Sequence, residues 1–281
     1  MPGVARPLTP FVALLAGLSM ACVEVSAGPP NYFETVEKQF TVTGRPTIDV
    51  STFDGRVDIT TWDRPEVRVV VEKEAAEKSD MEAMSVDIAQ QGDAVRVRIE
   101  SHRERGIYFE FGTRRAHITV TTPTNSTVRS STGDGPISVQ DVSGDISART
   151  GDGPIRFEHL TGTVSARTGD GSIVIDGAIA KLDAQSGDGP VRLRLTEALP
   201  IDNWSVRTGD GSVTLDLPAS VNADLDASTG DGRVNVSGLS FNSGEEKHRR
   251  SVRGRLGAGG GIISLRSGDG SITVRGAQSG I

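Results

Sequence analysis

A Gly-Asp-Gly tripeptide recurs through the second half of the chain at nearly constant spacing. The first four copies follow one another at intervals of 18 residues, and a degenerate earlier copy surrounds Asp54. Self-similarity at a fixed period is typical of repeat architectures, in which each unit packs against its neighbours. The central acids of the seven regular copies are Asp134, Asp152, Asp170, Asp188, Asp210, Asp231 and Asp269.

Apolar and polar residues alternate on both sides of each tripeptide. Ile146 and Ala148 precede the second copy, and Ile155 and Phe157 follow it, each pair two residues apart. This alternation predicts half-buried strands, and an 18-residue unit of two strands buries its apolar face only against its neighbours. The sequence therefore predicts an all-β fold, a β-solenoid of about 18 residues per repeat with strands about 4.8 Å apart. The alternative is a meander of antiparallel hairpins, which pairs mirror positions rather than equivalent ones.

The tripeptide itself has two interpretations. The first is a tight turn, in which glycine adopts positive φ and aspartate bonds its own backbone. The second is a column of carboxylates able to hold a ligand or a cation such as calcium. The known calcium repeat has a double glycine before its motif, which the Gly-Asp-Gly copies of this chain lack, so no metal site is predicted. Arginines occupy the third position before four of the aspartates, where we expect them to compensate the acids electrostatically. Hydroxyl residues, which we expect to stack, occupy the second position before each aspartate. These are Arg149, Arg167, Arg207 and Arg266, and Thr132, Thr150, Thr168, Ser186, Thr208, Thr229 and Ser267.

The chain divides into an irregular N-terminal region at 46–123 and a regular repeat region at 124–281. The irregular region contains one helix candidate, Glu74–Met84, and a charged, aromatic segment, Arg103–Arg115, predicted to pack over the end of the solenoid or to bind a ligand. Its predicted strands are Thr47–Val50, Arg56–Thr61, Glu66–Lys73, Ser85–Ala89, Ala94–Glu100 and Ala116–Thr121.

The first 27 residues predict export. The apolar run Phe11–Met20 is too short for a membrane span, which needs about 20 residues, and suits a secretory signal. Cys22, the only cysteine, ends a lipoprotein-like box and is a candidate for lipidation, which would attach the chain to a membrane. Cleavage after Ala27 is the alternative, so the mature chain begins at Cys22 or Gly28, and 28–45 is a leader. Either route predicts the cell envelope: periplasm, outer membrane or cell surface.

A basic, glycine-rich segment at 244–261 interrupts the last interval of the repeat. We expect a solvated, mobile loop there, and contact with anionic lipid headgroups or polymers is the sharper alternative. Its basic residues are Lys247, Arg249, Arg250, Arg253 and Arg255, and Gly257–Gly261 follows them.

Composition excludes several classes of function. A net charge of −7 argues against a protein that coats nucleic acid, and a single cysteine excludes a disulfide framework. The four histidines share no metal-ligand spacing, and no residue stands out as catalytic. We therefore expect no cofactor and no enzyme activity, with a carbohydrate-active β-helix enzyme as the least favoured alternative.

Three segments resemble a bacterial family of exported β-strand-repeat proteins, the "putative adhesin" family of unknown function. They are Phe53–Trp62, the repeated Thr-Gly-Asp-Gly, and Gly261–Val274, and the resemblance covers about 46–276. It implies a right-handed solenoid exposed in the cell envelope, and it supplies no active-site residues. We therefore expect an adhesin or scaffold whose partner is an envelope protein or a surface polymer. The alternative that the family suggests is an envelope-stress accessory, which binds a membrane sensor or a cationic ligand.

Overall fold

The part of the chain that the structure describes forms one open, 22-stranded β-sheet with a solenoid-like repeat and a single five-residue helix. The computed structural model describes residues 23–27, 32–101, 114–197 and 199–277. The first part contains β1 (Val23–Ala27), β2 (Tyr32–Thr41), β3 (Thr47–Thr52), β4 (Val57–Trp62), β5 (Glu66–Ala75), α1 (Lys78–Glu82), β6 (Met84–Gln91), β7 (Ala94–Ser101) and β8 (Arg114–Pro123). The repeat region contains β9 (Thr127–Ser131), β10 (Ile137–Gln140), β11 (Ser143–Arg149), β12 (Ile155–Thr168), β13 (Ile173–Ser186), β14 (Val191–Leu195), β15 (Trp204–Thr208), β16 (Val213–Pro218), β17 (Ala223–Thr229), β18 (Val234–Ser237), β19 (Phe241–His248), β20 (Ser251–Leu256), β21 (Ile262–Ser267) and β22 (Ile272–Ala277).

The strands lie on two faces joined at the Gly-Asp-Gly turns, and we call one strand from each face with the turn between them a coil. Face one carries the strands before the turns and face two the strands after them. The long strands β12 and β13 pass from face two of one coil to face one of the next. Face one runs β6-β7-β3-β9-β11-β12-β13-β15-β21-β17-β20-β19. Face two runs β1-β2-β5-β8-β4-β10-β12-β13-β14-β16-β22-β18.

The core is a set of aliphatic columns between the two faces. Equivalent residues pair in parallel, so Ile137 is the Cα partner of Ile155, and Ile155 is the partner of Ile173. These side chains are at most 1% exposed, and Phe157 is fully buried in the next column. Burying an aliphatic side chain of this size stabilises a fold by about 1.5–3 kcal/mol. The alternation of the sequence therefore becomes a narrow core that runs through the stack.

The coils do not stack in the order of the sequence at the C-terminal end. The last coil, β21 and β22, lies between the coil of β15 and β16 and the coil of β17 and β18. The N-terminal end has the same arrangement, because β3 and β4 lie between the coil of β7 and β8 and the coil of β9 and β10. The degenerate coil around Asp54 at the N-terminal end and the last regular coil at the C-terminal end are therefore inner coils rather than outermost ones.

Antiparallel strands cover the ends of the stack, where parallel strands would leave unpaired edges. At the N-terminal end β5 pairs with β8, β2 pairs with β5, and β6 pairs with β7. At the C-terminal end β20 pairs with β17, and β19 pairs with β20. The segment that the sequence suggests as a leader thus contains β2, which is part of this covering layer.

Two local expectations differ from the structure. The helix spans only Lys78–Glu82, because β5 continues to Ala75 and β6 already begins at Met84. The segment at 244–261 is not a loop over most of its length, since β19 and β20 form an antiparallel hairpin that packs along β17. The long interval before Asp269 therefore supplies the covering hairpin and lets the last coil insert.

Candidate binding surface

The hydroxyl before each Gly-Asp-Gly turn connects two coils. Thr168 Oγ1 donates a hydrogen bond to the carbonyl oxygen of Gly153 in the preceding coil at 2.9 Å. It also accepts one from the Gly171 N–H of its own turn at 3.2 Å. The hydroxyl residues stack as expected, since Thr168 is the Cα partner of Ser186 and Thr208 is that of Ser267. Their hydroxyl groups bond backbone groups and do not bond one another. The buried members are Thr132, Thr150, Thr168, Ser186, Thr208, Thr229 and Ser267.

The glycines of the regular turns are needed for close approach rather than for positive φ. A Cβ on Gly153 would collide with the carbonyl oxygen of Gly135, and one on Gly171 would collide with that of Gly153. Neither glycine has positive φ, which is found instead at the opposite corner, as at Gly162 with φ 123°. The expectation that these turns use glycine for its φ is therefore wrong, except at Gly55 in the degenerate copy, where φ is 121°.

The seven turn aspartates form an exposed column, which we call the acid column, along one edge of the stack. Asp152 accepts a hydrogen bond from the Asp170 N–H at 3.3 Å, so adjacent acids also interact through the backbone. Asp231 forms an ion pair with Arg250 at 3.4 Å. Within the described ranges no group of three or more His, Cys, Asp or Glu is arranged to hold a metal ion. All seven members are exposed: Asp134, Asp152, Asp170, Asp188, Asp210, Asp231 and Asp269.

A second column, of arginines, lies on the outer side of face one, three residues before the acids. Parallel pairing makes Arg149 the partner of Arg167, and Arg207 the partner of Arg266, with Gln185 between the two pairs. Its side chains alternate with the buried hydroxyl and apolar residues, which directs them outward. We call this set the arginine column; in spatial order it contains Arg98, Ser51, Ser131, Arg149, Arg167, Gln185, Arg207, Arg266 and Ser228.

Free and held guanidinium groups alternate along this column. Arg167 binds Asp183 and also donates to the Gln185 side-chain oxygen at 3.3 Å. In contrast, no described residue forms a hydrogen bond or ion pair with the guanidinium of Arg149 or Arg207, and both residues are exposed. The held arginines form their ion pairs with strand aspartates rather than with the acid column, and electrostatic compensation of the turn acids without direct contact stays a prediction.

Arg266, the other held arginine, has the most extensive contacts. Its guanidinium donates to the Asp226 carboxylate at 2.7 Å and to the Asp226 carbonyl oxygen at 2.7 Å. Arg253 of the hairpin donates to the same carboxylate at 3.1 Å. Burial alone raises the pKa of Asp226, but the hydrogen bonds from Arg266 and Arg253 outweigh it and hold the pKa below its ordinary value.

An open trough of about 510 Å³ runs beside the arginine column. Arg149, Arg167, Gln185 and Arg207 line the trough together with the hydroxyl residues and first glycines of the adjacent turns. The trough is open and presents guanidinium and amide donors. Such a surface suits an extended ligand with negative charges or hydroxyl groups.

The basic hairpin is largely neutralised by neighbouring acids. Arg253 and Arg255 pair with Asp226 and Asp224 of β17, at 3.1 and 3.0 Å. Lys247 lies 3.8 Å from Glu245, and Arg250 pairs with the acid column at Asp231. Of the five basic residues proposed for contact with anionic surfaces, Arg249 alone has no ion pair with a described residue. This hairpin is therefore a weaker anion site than its composition indicates.

Two sites suggested by the sequence lie wholly or mostly outside the described residues. Cys22 precedes the first described strand, and 102–113 of the aromatic segment fall in a gap between described ranges. Of the described histidines, His117 lies 2.8 Å from Asp58 and 3.5 Å from Glu72, and His159 lies 3.1 Å from Asp141. His117 therefore contacts two carboxylates and His159 contacts one.

The sequence contains a signal for the arginine column, although the spacing by itself indicates only charge compensation. Arginine recurs at the third position before Asp152, Asp170, Asp210 and Asp269. A fixed position relative to the turn places these residues in one outward column, because each strand has a two-residue side-chain period. The insertion of the last coil then makes Arg207 and Arg266 neighbours, which spacing along the chain does not indicate.

The chain belongs to the Toastrack DUF4097 family, whose model matches residues 126–275. A "putative adhesin" from Bacteroides fragilis is similar in structure, with 12% identity, a TM-score of 0.45, and coverage of 86% of this chain and 97% of that one. A "putative cell adhesion protein" from Clostridium sporogenes has 11% identity, a TM-score of 0.36, and coverage of 86% and 99%. A "putative lipid binding protein" from Parabacteroides distasonis has 10% identity, a TM-score of 0.36, and coverage of 87% and 97%. No curated protein matches the sequence, and no helix within the described ranges is long and apolar enough to span a membrane.

Proposed function

We propose that this protein is a non-enzymatic component of the bacterial cell envelope that displays a rigid solenoid surface, as an adhesin or a scaffold. Its coils are wound right-handedly with about 18 residues each. Parallel partners such as Ser143 and Thr161 are 18 residues apart, and connections between parallel strands are almost always right-handed. Its partner is an envelope protein or a surface polymer, bound through repeated contacts rather than in a catalytic cleft.

The observation that carries this proposal is the alignment of outward side chains in straight columns. Parallel pairing in register places the same chemical group at each strand spacing, about 4.8 Å. A repetitive ligand meets many such groups at once, and multivalency converts weak contacts into strong overall binding. A buried column of hydroxyl-to-backbone bonds holds the turns in place, so the display is rigid.

The location follows from the N-terminal signal. We propose that the chain is exported and that Cys22 is lipidated, which attaches it to a membrane of the envelope. Replacing Cys22 with alanine then moves the protein from the membrane fraction to the soluble envelope fraction. Retention of the variant in the membrane fraction would contradict lipid anchoring and favour cleavage after Ala27.

The acid column supports a second candidate, an envelope-stress accessory that binds a cationic ligand. Its seven carboxylates are exposed, and Asp231 is the one member with an ion pair to a described residue. The triple variant Asp152→Asn, Asp170→Asn and Asp188→Asn should abolish binding of a cationic peptide if this candidate is correct. Unchanged binding, or no binding by the parent protein, would remove it.

Protease treatment of intact cells tests the display proposal. We expect added protease to digest the protein on intact cells as completely as in lysed controls, while a cytoplasmic marker stays intact. Protection until lysis would place the solenoid in an inner compartment, and surface adhesion would then be wrong.

A further inference from the structure

We propose that the arginine column on face one binds a linear anionic polysaccharide along the stack. This inference gives the chemical class of the ligand for the display function proposed above. It rests on that function only for the place, the cell envelope, where the protein encounters the ligand. Its basis is a surface of the described molecule that neither the family match nor the sequence interpretation assigns to a ligand.

The charge of the column differs sharply from that of the whole chain. The protein has a net charge of −7, yet the nine positions of the column contain five arginines and no acid. The remaining positions are serine or glutamine, which hydrogen-bond sugar hydroxyls. A column of guanidinium groups interspersed with neutral donors matches a polymer that carries both anionic groups and hydroxyls.

The two free arginines are placed to bind successive anionic groups. Arg149 and Arg207 are separated by Arg167 and Gln185, so they lie three strand spacings, about 14 Å, apart. Each has a guanidinium with no partner among the described residues, and each lies next to an arginine that is held by an aspartate. The free groups can form bidentate contacts with carboxylate or sulfate. The held groups are offset in charge by their aspartates and contribute N–H donors at fixed positions.

The column arginines form their described ion pairs with strand acids rather than with the acid column. Arg167 pairs with Asp183, Arg266 pairs with Asp226, and Arg98 lies 4.0 Å from Glu100. The guanidinium groups of Arg149 and Arg207 have no ion-pair partner among the described residues and are available to a ligand.

The chemistry of the surface favours polysaccharide over single-stranded nucleic acid. Proteins that bind single strands stack bases on aromatic side chains, and stacking supplies much of the binding energy. The arginine column and the trough beside it contain no aromatic residue among the described positions that form them. Sugar hydroxyls and anionic substituents, by contrast, find donors along the whole length.

Calorimetric titration of the purified full chain with dextran sulfate tests the inference, with neutral dextran as the polymer control. The test variant is Arg149→Gln with Arg207→Gln. The control is Arg192→Gln with Arg275→Gln, which removes the same charge from exposed positions on face two. We expect the parent to bind dextran sulfate and not dextran, the test variant to bind at least about tenfold more weakly, and the control to change less than about twofold.

Three results would overturn the inference. They are no binding of dextran sulfate by the parent, an equal loss in the test and control variants, and equally tight binding of a single-stranded oligonucleotide that the test variant also loses. Because the titration uses purified protein, its failure leaves the display proposal standing. Protection from protease on intact cells would refute surface display and leave polysaccharide binding standing.

Discussion

Arg207 and Arg266 are direct partners in neighbouring parallel strands, although another complete Gly-Asp-Gly coil lies between them in the sequence. The relationship exists because the C-terminal coil inserts between two coils that are consecutive in the chain. The insertion makes the arginine column continuous and buries the last coil on both sides. The arrangement of the arginine column and the burial of the last coil therefore depend on the same strand order.

Removing one turn hydroxyl should weaken the stack measurably. Thr168→Val keeps the side-chain shape but leaves the Gly171 N–H and the Gly153 carbonyl without this partner. An unsatisfied buried polar group costs about 1–3 kcal/mol, so we expect a loss of stability in that range. Urea denaturation followed by circular dichroism measures it. Thr161→Val, at an exposed strand position, is the matched control, and an equal loss in both variants would contradict the role given to the hydroxyl.

Adding a methyl group to a regular turn should separate two coils. In Gly153→Ala the new Cβ would meet backbone oxygens of Asp134 and Gly135, which are fixed by the preceding coil. Overpacking of this kind costs about 1–3 kcal/mol. Gly92→Asn is the control, because no atom lies within 4 Å of the Cβ position and asparagine tolerates the positive φ of 58° there. Thermal melts compare the two variants, and a stable Gly153→Ala protein would show that the coils do not approach this closely.

Stability should depend on Asp226 in acid. The arginines lower the pKa of Asp226 in the folded state below its unfolded value. Its stabilising contribution is therefore complete above the unfolded pKa of about 3.9 and is lost as pH falls through the lower, folded value. We expect Asp226→Asn to be less stable than the parent at neutral pH and the difference to shrink below about pH 4. Denaturation curves at pH 7, 4, 3 and 2 measure this, and a difference that persists unchanged at pH 2 would refute it.

The sequence predicted the elements of the fold better than their order. The alternation around the turns correctly indicated the strands and the buried columns, as in the column that contains Ile137, Ile155 and Ile173. The alternation did not indicate that the last coil inserts between two earlier coils, because each coil presents similar apolar residues to both of its neighbours. Ile263 packs as well beside Trp204 as beside Leu225, so the pattern is the same for either order.

The candidate site was harder to predict for a related reason. The acid column can be found in the sequence because each acid lies within a contiguous Gly-Asp-Gly tripeptide. The arginine column, in contrast, is defined by the pairing of residues in different strands. Whether an arginine is free or held depends on a residue in another coil, such as Asp183 for Arg167. The sequence alone does not indicate the ion pairs of the basic hairpin either, since Arg253 and Arg255 pair with Asp226 and Asp224 across β17 and β20.

Engineered disulfides test directly whether the side-chain columns cross the inserted coil. Thr214 and Thr273 are adjacent on face two, and Asn235 lies beyond Thr273. In a Cys22→Ser background, Thr214→Cys with Thr273→Cys places the Cα atoms about 4.8 Å apart, within disulfide range. Thr214→Cys with Asn235→Cys places them about 9.6 Å apart, which is too far. We predict that mild oxidation crosslinks the first pair and not the second, as read by mobility on a non-reducing gel. Crosslinking of the second pair and not the first would mean that the coils stack in sequence order. That result would contradict the insertion of the last coil.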